Sequence, residues 1–290
     1  QEHSSYLMTT DDFFEQENLP GKVAVIGLGV IGLELGQALP RLGVETYGIG
    51  LGKAMGGLSD PELQDYTVNA FAGEFPVVTT GVEKLTKRNG KLVVHTEEQE
   101  YEVDQALLAM GRRPNLGGLG LENAVPSFDG RTIPGLDKGT HQIEGTRIFV
   151  AGDVNGERPI LHEAADEGRI AGYNAVRETS QCFQRRTLLA ITFCDPNIAV
   201  VGQSHRQLTD SKTPFVTGKV SYEGQGRAIV KLKEKGALHV YGHQKTGKLL
   251  GAELFAPDGE HLAHLIAWAI QADMTVFQTL ALPFYHPVVE

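Results

Sequence analysis

The stretch KVAVIGLGVIGLELGQALPRLGVETYGIG, residues 22–50, constrains the fold more than any other part of the chain. Lys22 to Ile26 is a short apolar run that stops at a glycine, as a strand buried on both faces does. Gly27, Gly29 and Gly32 follow at G-x-G-x-x-G spacing, with a fourth glycine at Gly36. Ile31, Leu35, Leu39 and Leu42 then recur at helical intervals, so the glycines sit between a strand and a helix. Pro40 falls in the last turn of that helix and kinks or ends it. In such a junction Gly27 permits a tight turn and Gly29 lets a pyrophosphate approach the backbone. Gly32 lets helix and strand close up, while the helix N-terminus offers unpaired N–H groups to the anion. Among 35 glycines the spacing alone can arise by chance. The strand before it and the helix after it give it meaning.

The second strand of this unit, VETYGIG, ends without its usual acid. A dinucleotide-binding fold places Asp or Glu about 20 residues after the glycines, on the adenosine ribose. Here that position is Gly50, and Glu45 comes too early. The missing charge-assisted hydrogen bond is worth roughly 1.5–3 kcal/mol. Its absence also removes a repulsion against a 2′-phosphate, and Lys53 is the one cation nearby. NAD and NADP both stay open, with NAD preferred.

A chain of 290 residues exceeds one compact core and implies two or three domains. Its 41% hydrophobic and 21% charged residues belong to a folded globular protein. No apolar run approaches the roughly 20 residues of a membrane helix. The N-terminus carries no signal pattern, so a cytoplasmic location is expected. A net charge of −10 argues against a nucleic-acid partner. Cys182 and Cys194, twelve apart, match neither a CxxC pair nor a zinc pattern and read as inert buried thiols. His261 and His264 have no third ligand and read as surface or interface histidines, so no metal site is expected.

The chain divides readily. Residues 1–20 are a connector whose TTDDFFEQENLP forms a capped turn. Residues 21–111 make the nucleotide-binding domain. Within it Ser59, Pro61 and Glu62 stand in capping-box order before a helix. RNGK at 88–91 signals a hairpin, and EVDQALLAMG is a buried strand ending at Gly111. Residues 112–180 form a central segment with a strand, TRIFVAGDVNG, followed by the helix LHEAADEGRIAGYNAV. Asp153 ends that strand, as a ligand-binding acid or as a turn residue capping the next helix. From 181 to 290 the pattern is hairpins, ITFCDPNIAVVG, RAIVKLK and GALHVYGHQKTGKLLGAELF. A helix follows with Leu262, Leu265, Ile266 and Ala269 on its packed face. The expected class is α/β, a Rossmann-like parallel-sheet domain joined to an α+β domain.

In this order GLGVIGLELG, ALLAMGRRPN, TRIFVAGDV with LHEAADEGRIAG, TFCDPNIAVVG and terminal YHPVVE resemble the flavin disulfide reductases. Among them the chain is most similar to the dihydrolipoamide dehydrogenases, from about residue 9 to 290. The resemblance implies that Gly27, Gly29 and Gly32 cradle a nicotinamide dinucleotide. It implies that Glu34 points towards the flavin and pairs with a lysine of the flavin domain, and that Gly111 lines the cofactor path. Asp153 would bind the ribityl chain of FAD, and residues 181–290 would form the interface of a homodimer. His286 would belong to the base serving the partner subunit's active site.

The departures from that pattern are specific. The family's own FAD-domain glycine motif and its redox-active CxxxxC are absent from this sequence. The family pattern H-P-x-x-x-E puts a carboxylate five residues after the histidine, whereas Glu290 is four after His286. Either Glu290 substitutes or the carboxylate lies one residue further on, and the second is favoured. The chain therefore reads as a C-terminal portion, without FAD and inactive by itself. The implied reaction takes electrons from dihydrolipoamide, on a carrier domain of a 2-oxo acid dehydrogenase complex, through a disulfide and FAD to NAD⁺. Two alternatives stand beside it. One is a related reductase with another substrate: an NADP-linked glutathione or trypanothione enzyme would favour arginines that GIGLGKAMGG lacks, and a mercuric reductase would need a C-terminal cysteine pair. The other is a non-catalytic nucleotide-binding dimeric scaffold.

Overall fold

The apolar run before the glycine turn and the run after its helix pair as parallel strands, and the rest of the first domain is arranged around them. The computed structural model describes residues 4–290, so the first three residues of the expected connector lie outside it. Contacts divide the chain into two units, one joining the chain up to Gly111 with Thr187–Glu290, the other being Arg112–Arg186.

The first part of the first unit runs β1 (Leu7–Met8), α1 (Thr10–Phe14), β2 (Lys22–Ile26), α2 (Val30–Arg41), β3 (Glu45–Ile49) and α3 (Pro61–Ala72). It continues with β4 (Val77–Val78), β5 (Lys84–Arg88), β6 (Lys91–His95), β7 (Glu100–Val103) and β8 (Gln105–Leu108). Five strands form a parallel sheet in the order β1-β8-β2-β3-β4. Val23, Ala24 and Val25 of β2 have no exposed surface, as expected of a strand covered on both faces. The connector is more than a linker, because Leu7 and Met8 pair with Ala106 and Leu107 at the sheet edge. Thr9 and Asp12 then form a reciprocal capping box that starts α1.

The inward face of α2 is Gly32, Leu33, Gly36, Gln37 and Leu39, while Ile31 and Leu35 are half-buried and Leu42 is exposed. The expected face is thus rotated. The glycines draw the helix onto the sheet: a Cβ at Gly36 would already stand 3.6 Å from Val25. The helix stops at Arg41, one residue past Pro40. Asn89 and Gly90 both take positive φ, the twist a two-residue hairpin requires, and join β5 to β6. The run EVDQALL is two elements, β7 and β8.

The second unit contains α4 (Leu161–Ala175) and a small core of Leu121, Val125 and Ile143. The run TRIFVAG, expected as a strand, forms no ladder. Phe149 makes a single bridge to Gln142, and Ile148 and Val150 pack on the small core. These apolar residues border a hollow of about 380 Å³, lined also by Leu116, Leu121 and Ile133.

The first unit resumes with β9 (Leu189–Thr192), β10 (Asn197–Gly202), α5 (His205–Asp210), β11 (Phe215–Ser221) and α6 (Gly226–Val230). Next come β12 (Ala237–His243), β13 (Leu249–Ala256), α7 (Gly259–Gln271) and α8 (Val276–Leu280). The strands make an antiparallel sheet, β11-β12-β13-β10-β9. RAIVKLK, expected as a strand, instead supplies α6, which Gln225 caps by accepting the Ala228 N–H. α7 buries Leu262, Ala263, Ala267 and Ala269, whereas Leu265 is 44% exposed. Small residues let this helix lie close to the sheet, so alanines take the inward positions expected of leucine. Ile198 and Phe255 share one core with Leu33, Met55 and Phe71. No helix among the described residues is long and apolar enough to cross a membrane.

Candidate dinucleotide-binding site

The three glycines of the turn have different surroundings. Gly27 has φ +99°, and a Cβ there would stand 2.4 Å from the Ala109 carbonyl oxygen. A Cβ at Gly32 would be 1.8 Å from the Gly27 carbonyl oxygen. Both positions are closed by the protein itself. Gly29 has nothing within 4 Å of its Cβ position and is the N-cap of α2, with no side chain capping it. A twelve-residue helix therefore presents its first-turn amides and positive dipole end across an open glycine. That fits a pyrophosphate, and a side chain at this position would fill the space.

At the end of β3, Gly50 donates its N–H to Val78. A Cβ there would lie 3.3–3.5 Å from the side chain of Leu28, which is 5% exposed. The expected acid position is thus floored by an apolar residue of the glycine motif. Lys53 is held by Asp65, Nζ to Oδ1 2.6 Å. Gly111 follows β8 with open space around its Cβ position, next to Met110, which is 69% exposed. Glu34, on α2, accepts the Phe193 N–H at 2.8 Å.

Asp153 lies in the second unit, at the head of a short 3-10 turn, half-exposed, with Arg112 Nη1 at 3.7 Å. The turn is fixed from within by Glu167, which has no exposed surface. Its Oε2 accepts the Gly152 N–H (2.7 Å) and the Asn155 side-chain amide (2.6 Å), and its Oε1 accepts from Arg185 (2.8 Å). Arg185 also donates to buried Glu163 at 2.5 Å, and these acids hold its pKa above the usual arginine value in spite of burial. Glu163 and Glu167 stand four apart on α4 and face inward. Two acids at that spacing in a helix of small residues were the signal for this network in the sequence.

His286 and Glu290 are both exposed, and no ion pair or hydrogen bond joins them among the described residues. The chain between them is docked. Val289 is 7% exposed within the core of the sheet and α7, and the Val288 carbonyl accepts from Gln225 at 2.6 Å. Burial, followed by the charge of Glu290, pushes the Tyr222 phenol up to about 12. Cys194 is buried, and burial pushes its thiol up to about 12. Cys182 is exposed, which corrects the reading of both thiols as buried. His261 is exposed, and His264 Nδ1 meets the Glu260 carbonyl at 2.7 Å.

The family model described as pyridine nucleotide-disulphide oxidoreductase matches residues 1–168, and the model of that family's dimerisation domain matches residues 189–290. The chain belongs to this family. Its members are FAD- and NAD(P)-dependent flavin disulfide oxidoreductases. A mercuric reductase of Staphylococcus aureus is 29% identical over 275 residues, covering 93% of this chain and 50% of the relative. A dihydrolipoyl dehydrogenase of Chlamydia pneumoniae is 26% identical over 275 residues, covering 94% of this chain and 59% of the relative. The chain therefore spans half to three-fifths of these curated relatives. Among solved structures, LpdA from Mycobacterium tuberculosis superposes with a TM-score of 0.83 at 26% identity, covering 97% of this chain and 62% of that one. The HOCl-induced flavoprotein disulfide reductase RclA from Escherichia coli gives 0.84 at 22% identity, covering 98% and 66%, and shares the fold.

Proposed function

We propose that this chain is the coenzyme-binding and dimerising part of a flavin disulfide reductase that oxidises dihydrolipoamide and reduces NAD⁺. The observation that carries the reading is the exposed imidazole of His286 on a tail anchored at Val288 and Val289. A dithiol must lose a proton before it attacks a disulfide, and a thiol of pKa about 8.5 is mostly protonated near pH 7. An imidazole is the side chain suited to accept such a proton near neutral pH. A metal-ion substrate brings no such proton, so the histidine favours a dithiol over the mercuric ion. NAD is preferred over NADP because Asp65 already occupies Lys53, the cation nearest Gly50.

In this reading the amides that open α2 hold the pyrophosphate, and Gly29 leaves it room. Asp153 accepts hydrogen bonds from hydroxyls of the ribityl chain, on the turn that Glu167 fixes. FAD, when bound, carries the electron pair between disulfide and coenzyme. The His286 imidazole serves the active site of the partner subunit in a homodimer, and the substrate arrives on a carrier domain of a 2-oxo acid dehydrogenase complex.

The test is dihydrolipoamide-dependent reduction of NAD⁺ by the full-length protein and its His286→Gln variant. The variant is expected to lose roughly 10²–10⁴-fold in rate, while NADH oxidation by a quinone acceptor stays unchanged. Mercuric-ion-dependent oxidation of NADPH without lipoamide turnover would contradict the reading.

A further inference from the structure

Glu253 is the one charged residue of β13 and has no exposed surface. No cation pairs with it among the described residues. Its charge is met by four donors instead. Oε2 accepts the N–H groups of Ser59 (2.6 Å) and Asp60 (2.9 Å), and Oε1 accepts the Ser59 hydroxyl (2.5 Å) and the His205 N–H (2.8 Å). The Ser59 hydroxyl oxygen in turn accepts the Arg206 N–H at 3.0 Å. Beside it, Asp60 Oδ2 meets His239 Nδ1 at 2.8 Å and the Tyr241 hydroxyl at 3.1 Å, all three side chains buried. A lone buried carboxylate is costly, and an apolar residue would fill a sheet position at less cost. What the arrangement supplies is a fixed position for Ser59 and Asp60.

Those two residues end the loop that leaves β3 at Gly50, where this fold meets the adenosine ribose. Midway along it, the Gly56 N–H donates to the carbonyl of Leu28, inside the glycine motif, at 3.2 Å. On its other side a Cβ at Gly56 would stand 2.9 Å from Ile198 of β10. The loop is therefore held between the glycine turn and the antiparallel sheet. We propose that Glu253, with His239 holding the neighbouring Asp60, is a positioning residue for the adenosine end of the coenzyme, so that the dimerisation domain sets the shape of the ribose loop. This rests on the reading that the glycine turn binds a dinucleotide.

The test is calorimetric titration of the full chain with ADP-ribose, for the wild type, Glu253→Gln and Ser59→Ala. Hydrogen exchange is followed in parallel at residues 50–60 and at the start of α2. A glutamine places an NH₂ against donors that a carboxylate accepts. Glu253→Gln is expected to weaken ADP-ribose roughly 10- to 100-fold, the range of a lost charge-assisted hydrogen bond. Ser59→Ala is expected to act in the same direction by less, and exchange to rise at 50–60 but not in α2. Wild-type affinity in both variants overturns the proposal, as does exchange rising equally everywhere, which marks a purely structural role. If Glu253→Gln does not fold, Ser59→Ala alone decides by the same criteria. Gly29→Val separates the two ideas. Loss of binding there with wild-type affinity in the Glu253 variant sinks only this proposal, whereas unchanged binding in Gly29→Val sinks the dinucleotide reading as well.

Discussion

Gly27, Gly29 and Gly32 share a motif, but the structure assigns them different physical tasks. Two are closed by backbone oxygen atoms and one faces open space. Gly32→Ala is therefore expected to destabilise the fold by about 1–3 kcal/mol, as overpacking does, seen as a lower melting temperature. Gly29→Ala is expected to melt like the wild type, and a fall equal to that of Gly32→Ala would contradict this division. The spacing was legible because backbone collisions impose it, whatever the neighbouring side chains are. Glu253 was not legible as a site, since its partners at 59, 60 and 205 are brought to it only by tertiary packing. A single acid within LLGAELFA was the available hint. The two uses of Glu290 also stayed open, because nothing in YHPVVE says that Val289 is the residue that docks.

Elements were read better in kind than in face. Strand β2 and helices α2, α3 and α7 stand where their patterns place them. The buried stripes of α2 and α7 are rotated towards glycine and alanine, because close approach to a sheet selects small residues and not the most apolar ones. RAIVKLK fails as a strand because Gln225 caps it into a turn of helix, and TRIFVAG lacks a partner along which to form a ladder. Ser59 was expected to cap α3, but Asp60 does so, accepting from Glu62 and Leu63, while Ser59 turns to Glu253. Burial alone would raise the Asp60 carboxyl. His239, Tyr241 and the Glu62 amide outweigh it and hold the pKa below the ordinary aspartate value. A carboxyl depressed on folding adds stability that is complete above its unfolded pKa of about 3.9 and is lost as pH falls through the folded value. Asp60→Asn is thus expected to melt below the wild type at about pH 7, with the gap narrowing as pH falls below the ordinary aspartate pKa of about 3.9. A gap independent of pH would show that the carboxylate charge adds nothing.

For the molecule as a whole, the α/β class followed from alternating strands and helices around the glycine turn. The antiparallel sheet of 187–290 followed from hairpins separated by turn residues. What the pattern did not give is the packing of that sheet on the nucleotide-binding part through Met55, Ile198 and Phe255. The 187–290 part exposes Trp268 (66%), Phe277 (77%) and Leu280 (72%) on α7 and α8, apolar surface of the kind that marks a protein contact. In the proposed homodimer, Trp268→Glu is expected to shift association towards monomer by at least tenfold in sedimentation, and an unchanged association constant would place the contact elsewhere. The proposed function depends above all on where the coenzyme's phosphates rest. A crystal structure with ADP-ribose is the most direct measurement. It should show phosphate oxygens about 2.7–3.2 Å from the amides that open α2, directly over Gly29. A pyrophosphate bound away from that turn, or none bound at millimolar ADP-ribose, would contradict it.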